Sequence, residues 1–196
     1  QMPKNYICNY NVLNAKDYGV PQNRERVFIV GTNKERGFNF PDPIFKKIKS
    51  LVPKENVGEA FKDLEKSKDL ENHLILNHSD KVIERYKLIK EGGKLPAPEF
   101  LPEEIRRVNF GNTYQRLDRK NVSPTMVPGN NAFPIHPTQN RSLTPREAAR
   151  LQSFPDSHLF EGSRRMQCIL VGNAVPPLLA ANIAKEIKKH LKNKNY

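Results

Sequence analysis

Gln22-Asn23-Arg24-Glu25-Arg26-Val27-Phe28-Ile29-Val30-Gly31 decides how the chain is read: a charged run passes into four apolar residues and a glycine. Val27 to Val30 shows no polar alternation, which predicts a strand covered on both faces, as at the centre of an α/β sheet. Upstream, Tyr6 to Asn14 is apolar or β-favouring and leads into Asp17-Tyr18-Gly19-Val20-Pro21, a turn. Two strands joined by a loop are therefore expected. The chain offers little else with which to cover them.

Downstream, Pro41, Pro43 and Pro53 stand among lysines and mark a connector leading away from the sheet. Val57, Ala60, Phe61 and Leu64 fit one face of a short helix, and Ser79 is placed to cap a second that carries Val82, Tyr86 and Ile89 and stops at Gly92-Gly93. Residues 94–140 hold seven prolines and few apolar runs, which suits irregular strands and exposed loops. From Arg106 to Lys120, the five basic residues Arg106, Arg107, Arg116, Arg119 and Lys120 accompany a single acid, Asp118, together with Tyr114 and Gln115. That mixture suits phosphates and base edges, and a solvated basic loop is the plain alternative. Leu143-Thr144-Pro145-Arg146-Glu147 reads as a capping box with proline at the first helical position. A last helix carries Leu179, Ile183, Ile187 and Leu191 at successive i+4 steps and ends in solvated lysines.

Over 196 residues, 33 Lys+Arg against 21 Asp+Glu leave a formal charge of +12, which calls for a polyanionic partner. No window approaches the ~18 consecutive apolar residues of a membrane span, and no signal-peptide pattern opens the chain. A cytoplasmic protein without membrane contact is expected. Cys8 and Cys168 are too few and too far apart for a disulfide framework, and both are expected to be buried. The five histidines lack metal-ligand spacing, so no metal is expected. Gln1 precedes Met2, which suggests an excised piece of something longer or a cloning remnant.

Gln22-Asn23-Arg24-Glu25-Arg26 resembles the eighth motif of DNA (cytosine-5)-methyltransferases, a Gln-x-Arg-x-Arg run. The segment from Arg141 through Leu143-Thr144-Pro145-Arg146-Glu147 to Phe154-Pro155 resembles the ninth motif, and Gly172-Asn173-Ala174-Val175-Pro176-Pro177 the tenth. Between them Ser123-Pro124-Thr125-Met126 resembles a Thr-Leu or Thr-Ile pair of the variable target-recognition region, with Met126 in place of the branched residue. The family's glycine-rich first motif, its Pro-Cys nucleophile and its Glu-Asn-Val acid have no counterpart here.

The resemblance implies an α/β fold, the C-terminal part of an S-adenosylmethionine-dependent methyltransferase (Rossmann-like) sheet plus a small, loop-rich target-recognition domain. Residues 1–40 would hold the last strands of the catalytic domain, 41–140 the connector and target-recognition domain, and 141–196 a bracing helix and a C-terminal helix returning to the catalytic domain. In this family a cytosine is flipped out of duplex DNA, a cysteine thiolate adds to C6 and C5 is methylated. The implied catalytic residues are Arg26, donating to cytosine O2 where negative charge accumulates, and Arg24, bracing nearby groups. The two arginines are expected to point to opposite faces. Asn173, Ala174 and Val175 would close the S-adenosylmethionine pocket. Gln22, Arg106, Arg107, Tyr114, Gln115, Arg116, Arg119, Ser123 and Thr125 are the expected DNA-binding residues.

The implied activity is methyl transfer to duplex DNA, within a restriction-modification system. The nucleophile would come from a missing N-terminal catalytic part, on the same polypeptide or as the other subunit of a split enzyme. The chain alone is expected to be inactive and, with half a sheet exposed, prone to self-association. A noncatalytic DNA-binding module is the alternative.

Overall fold

The computed structural model describes residues 6–33, 37–43, 56–64, 70–107, 114–128 and 133–192. Most of the expected connector and the stretch 108–113 lie outside the described residues. Two strands, β1 (Ile7–Asn14) and β2 (Glu25–Thr32), pair antiparallel from Ile7↔Thr32 to Asn14↔Glu25. The expected strand pair is present, but its double cover is not. Among the described residues Tyr10, Val12, Val27 and Ile29 are 78%, 55%, 62% and 64% exposed and share one open apolar face. The other face lies against α5 (Pro177–Lys192), where Leu13, Ala15, Tyr18, Val20, Leu179 and Ile183 form a small core with Phe28. The i+4 stripe of α5 is only half buried: Leu179 and Ile183 are enclosed, whereas Ile187 and Leu191 are exposed and line an open cavity beside Val30, Gly31 and Thr32 of β2.

A larger core gathers α1 (Val57–Phe61), Leu117, Met126, Phe133, α3 (Pro145–Leu151) and α4 (Arg164–Asn173). A third cluster joins Tyr86 of α2 (Asp80–Lys87) to Ile89, Tyr114 and Ile135. Ser79 is the N-cap of α2 but makes no side-chain cap bond, and the helix ends well before Gly92. Among the described residues from 94 to 142, single bridges, Lys94↔Gln115, Arg116↔Ile135 and Ile135↔Ser142, take the place of continuous strands. The packing divides after α4, which shares the larger core with α3, while α5 joins the hairpin.

The capping box is present: the Thr144 side chain accepts from Glu147 N–H, and Glu147 accepts from the Thr144 amide. Residues 141–149 are all buried, so α3 is the central post of the larger core. Glu147 also receives both ends of the Arg141 guanidinium at 2.9 and 2.7 Å. Burial alone would raise its pKa, yet the bonds and charge of Arg141, helped by His136 and the Thr144 amide, bring it below the usual carboxylate range. Cys168 is buried, whereas Cys8 is exposed on β1, contrary to expectation, because the face it occupies is the open one. Among the described residues no single helix is long and apolar enough to cross a membrane, and no three His, Cys, Asp or Glu side chains gather as a metal site.

Candidate functional site

Residues 22–26 form a seam with segments about a hundred positions away. Gln22 bridges Ser123 in parallel register, the Ser123 amide donates to Pro21 O at 2.9 Å and the Asn23 amide to Ser123 O at 2.8 Å. The Thr125 hydroxyl donates to Asn23 O at 2.6 Å. The Gln-x-Arg-x-Arg run is thus stitched to Ser123-Pro124-Thr125, although nothing in either segment alone announces the pairing.

Arg24 and Arg26 part company here, though not by pointing to opposite faces of a strand, because residues i and i+2 of a regular strand share a face. Arg24 lies one residue before β2, is 1% exposed, and donates through Nη2 to Gly172 O at 2.8 Å and Ala174 O at 3.0 Å. Burial, with Arg26 nearby, lowers its pKa to about 10, so it remains a cation at neutral pH. A catalytic role in direct contact with substrate does not suit so enclosed a group; it is a brace. Arg26 lies within β2 opposite Leu13, half-buried, and its Nη1 donates to the neighbouring Glu25 O at 2.6 Å. No carboxylate pairs with it among the described residues.

Asn173, Ala174 and Val175 lie where α4 ends and α5 has not begun. Asn173 and Val175 are exposed, Ala174 is half-buried, and the carbonyls of Gly172 and Ala174 are turned to Arg24. Gly172 is buried, and a Cβ there would lie 2.5 Å from Pro128 Cα, so glycine is required by close approach. A preorganised turn with Asn173 and Val175 outward suits one wall of a ligand site. Gln152, missed as a site residue, donates to Val171 O at 2.7 Å. Its position just past the α3 stripe, ahead of Phe154-Pro155, was the available signal.

The expected DNA-binding residues divide sharply. Arg116 is buried and donates to Ile89 O, His136 O, Gln139 O, Tyr86 O and Asn140 Oδ1 at 2.7–2.8 Å. All five N–H donors of its guanidinium are engaged, which leaves none for a phosphate or a base. Gln22, Tyr114 and Ser123 are likewise buried and belong to the seam or the core, so in this arrangement they do not reach a groove. Sequence alone could not separate these from surface residues, because the irregular region carries no periodicity. Gln115 and Thr125 are half-buried. Arg106, Arg107 and Arg119 are exposed. Arg107 lies 5.4 Å over the Tyr114 ring, and Arg119 holds Glu91 at 2.9 and 3.0 Å.

The C-5 cytosine-specific DNA methylase model matches residues 3–189. The type II methyltransferase M1.HphI of Haemophilus parahaemolyticus is 37% identical over 191 residues, 94% of this chain and 48% of its own length. The chain spans about half the length of the first curated relatives it matches. The type II methyltransferase M.AquIB of a Picosynechococcus species differs: its 37% identical match covers 64% of this chain but 93% of its own length. A DNA modification methyltransferase encoded within an E. coli prophage superposes with a TM-score of 0.69 at 23% identity, covering 96% of this chain and 62% of that one, a likeness of fold. By its matched length and its identity to these relatives, the chain belongs to the C-5 cytosine-specific DNA methylase family.

Proposed function

We propose that this chain is the base-positioning and target-recognition part of a DNA (cytosine-5)-methyltransferase acting on duplex DNA in a restriction-modification system. The nucleophile belongs to the portion of the longer relatives that this chain does not match. The observation that carries the reading is Arg26: a half-exposed guanidinium, without a carboxylate partner among the described residues, two positions from a buried brace. A cation without a carboxylate partner suits the O2 of an everted cytosine, where negative charge grows as a thiolate adds to C6. Neither cysteine suits the nucleophile. Cys168 is enclosed and burial pushes its thiol pKa up, and Cys8 lies on the open hairpin face after Ile7 rather than after proline.

S-adenosylmethionine, when bound, supplies the methyl group. The exposed Asn173 amide and Val175 side chain fit one wall of its site, with Ala174 between them. Exposed Arg106, Arg107 and Arg119, with Thr125 at the seam, are the residues left to meet DNA, and the +12 charge adds salt-sensitive attraction to any duplex. The protein would act in the cytoplasm, on the DNA of a bacterial-type cell. M.AquIB favours a split enzyme as a second reading, since it consists of little beyond the matching part.

Methyl transfer to duplex DNA decides the matter. The chain alone is expected to be inactive, and the chain combined with an N-terminal part bearing a Pro-Cys nucleophile active. R26A should lower single-turnover methylation about 10²–10³-fold. Activity of the chain alone, or none after combination, would favour a different enzyme or a noncatalytic DNA-binding module.

A further inference from the structure

Two side chains, Gln152 and Arg24, converge on the carbonyls at the C-terminal end of α4, where a helix runs out of following amides to pair all its acceptors. Val171 O accepts from Gln152 Nε2 at 2.7 Å, while Gly172 O and Ala174 O accept from Arg24 Nη2 at 2.8 and 3.0 Å. A buried cation at the negative end of a helix is favourably placed, which compensates in part for the missing carboxylate. The Nε and Nη1 hydrogens of Arg24 find no partner among the described residues. One nitrogen therefore grips both carbonyls that flank Asn173.

We propose that Arg24 is a positioning residue for the cofactor: by fixing the carbonyls on either side of Asn173, it sets the turn whose exposed side chains form the cofactor wall. The proposal rests on reading Asn173–Val175 as that wall. Because a single nitrogen makes the grip, lysine can supply part of it, whereas an isosteric apolar chain cannot.

The test uses the enzyme assembled from this chain and the part bearing the nucleophile. S-adenosylmethionine affinity is measured by calorimetry, duplex affinity by anisotropy, and kcat at saturating cofactor. R24M is expected to weaken S-adenosylmethionine about tenfold or more, with kcat and duplex affinity changed by less than about threefold, and R24K to restore most of the loss. A collapse of kcat at unchanged cofactor affinity would overturn the inference, placing Arg24 at the reacting base. Loss of cofactor and duplex affinity together, with a lower Tm, would make it merely structural. If R24M does not fold, R24K alone decides: cofactor affinity equal to that of the parent, with kcat reduced, overturns the inference. N173A separates the two claims. If N173A leaves cofactor affinity intact, the wall reading fails; if N173A weakens it and R24M does not, the inference fails.

Discussion

Arg116 and Arg119 stand three positions apart in the same basic stretch and carry opposite burdens. Arg116 is enclosed with five acceptors on its guanidinium, whereas Arg119 holds Glu91 at the surface. Removing the first leaves several buried carbonyls unpaired; removing the second leaves only water to fill the gap. R116M is expected to cost more than about 3 kcal/mol in denaturant unfolding of the assembled enzyme. R119A should leave its Tm unchanged and weaken duplex binding with a shallower salt dependence. Equal effects on stability would contradict these placements. Composition marks both as basic, but only the fold shows which arginine is exposed to a polyanion.

Among the elements, α3 is the one most legible in advance, since Thr144-Pro145-Arg146-Glu147 encodes its own start. Its surroundings were not legible. His73 Nδ1 lies 2.9 Å from the Thr144 hydroxyl, and His78 Nε2 accepts the Ser142 amide at 3.1 Å. Burial above all lowers the pKa of both histidines, with neighbouring arginines adding to it and Glu147 opposing it at His73. A lowered histidine pKa means that the unfolded chain binds the proton more tightly, so stability is complete above about pH 6.5 and falls as pH drops through that value. Glu147, with its lowered carboxylate pKa, retains its contribution until more acidic conditions, below about pH 4.3. Tm should therefore decline between pH 7 and pH 5, and the double substitution H73N/H78N should flatten that decline. An unchanged slope in the double variant would contradict the assignment. The helix Arg164–Asn173 was not legible either: Gly172-Asn173 reads as a turn, yet it completes α4 because Gly172 must lie against Pro128.

For the molecule as a whole, the open hairpin is the defining feature. Val27 to Val30 reads as a strand covered twice, and among the described residues the hairpin has one cover, the Leu179 and Ile183 face of α5. Tyr10, Val12, Val27 and Ile29 remain as a contiguous apolar surface beside unpaired strand edges. The isolated chain is expected to sediment as a self-associated species. I29K should return it to monomer and also prevent assembly with the N-terminal part. A monomeric parent chain, or assembly undisturbed by I29K, would show that this face is not the contact. The strand pair, the capped helix and the family were readable because each follows from a local pattern. The seam joining residues 22–26 to 123–125, and the bonds from Arg24 to the end of α4, depend on contacts across about a hundred residues or more and leave no periodic trace.

The central claim is that this chain holds the everted base while another part forms the covalent bond. It is tested most directly by trapping the assembled enzyme on a duplex carrying 5-fluorocytosine at the target, where fluorine at C5 blocks elimination and preserves the C6–S bond. Peptide mapping is predicted to find the adduct on a cysteine outside this sequence, with trapping strongly reduced in R26A. An adduct on Cys8 or Cys168, or trapping unaffected by R26A, would contradict the account.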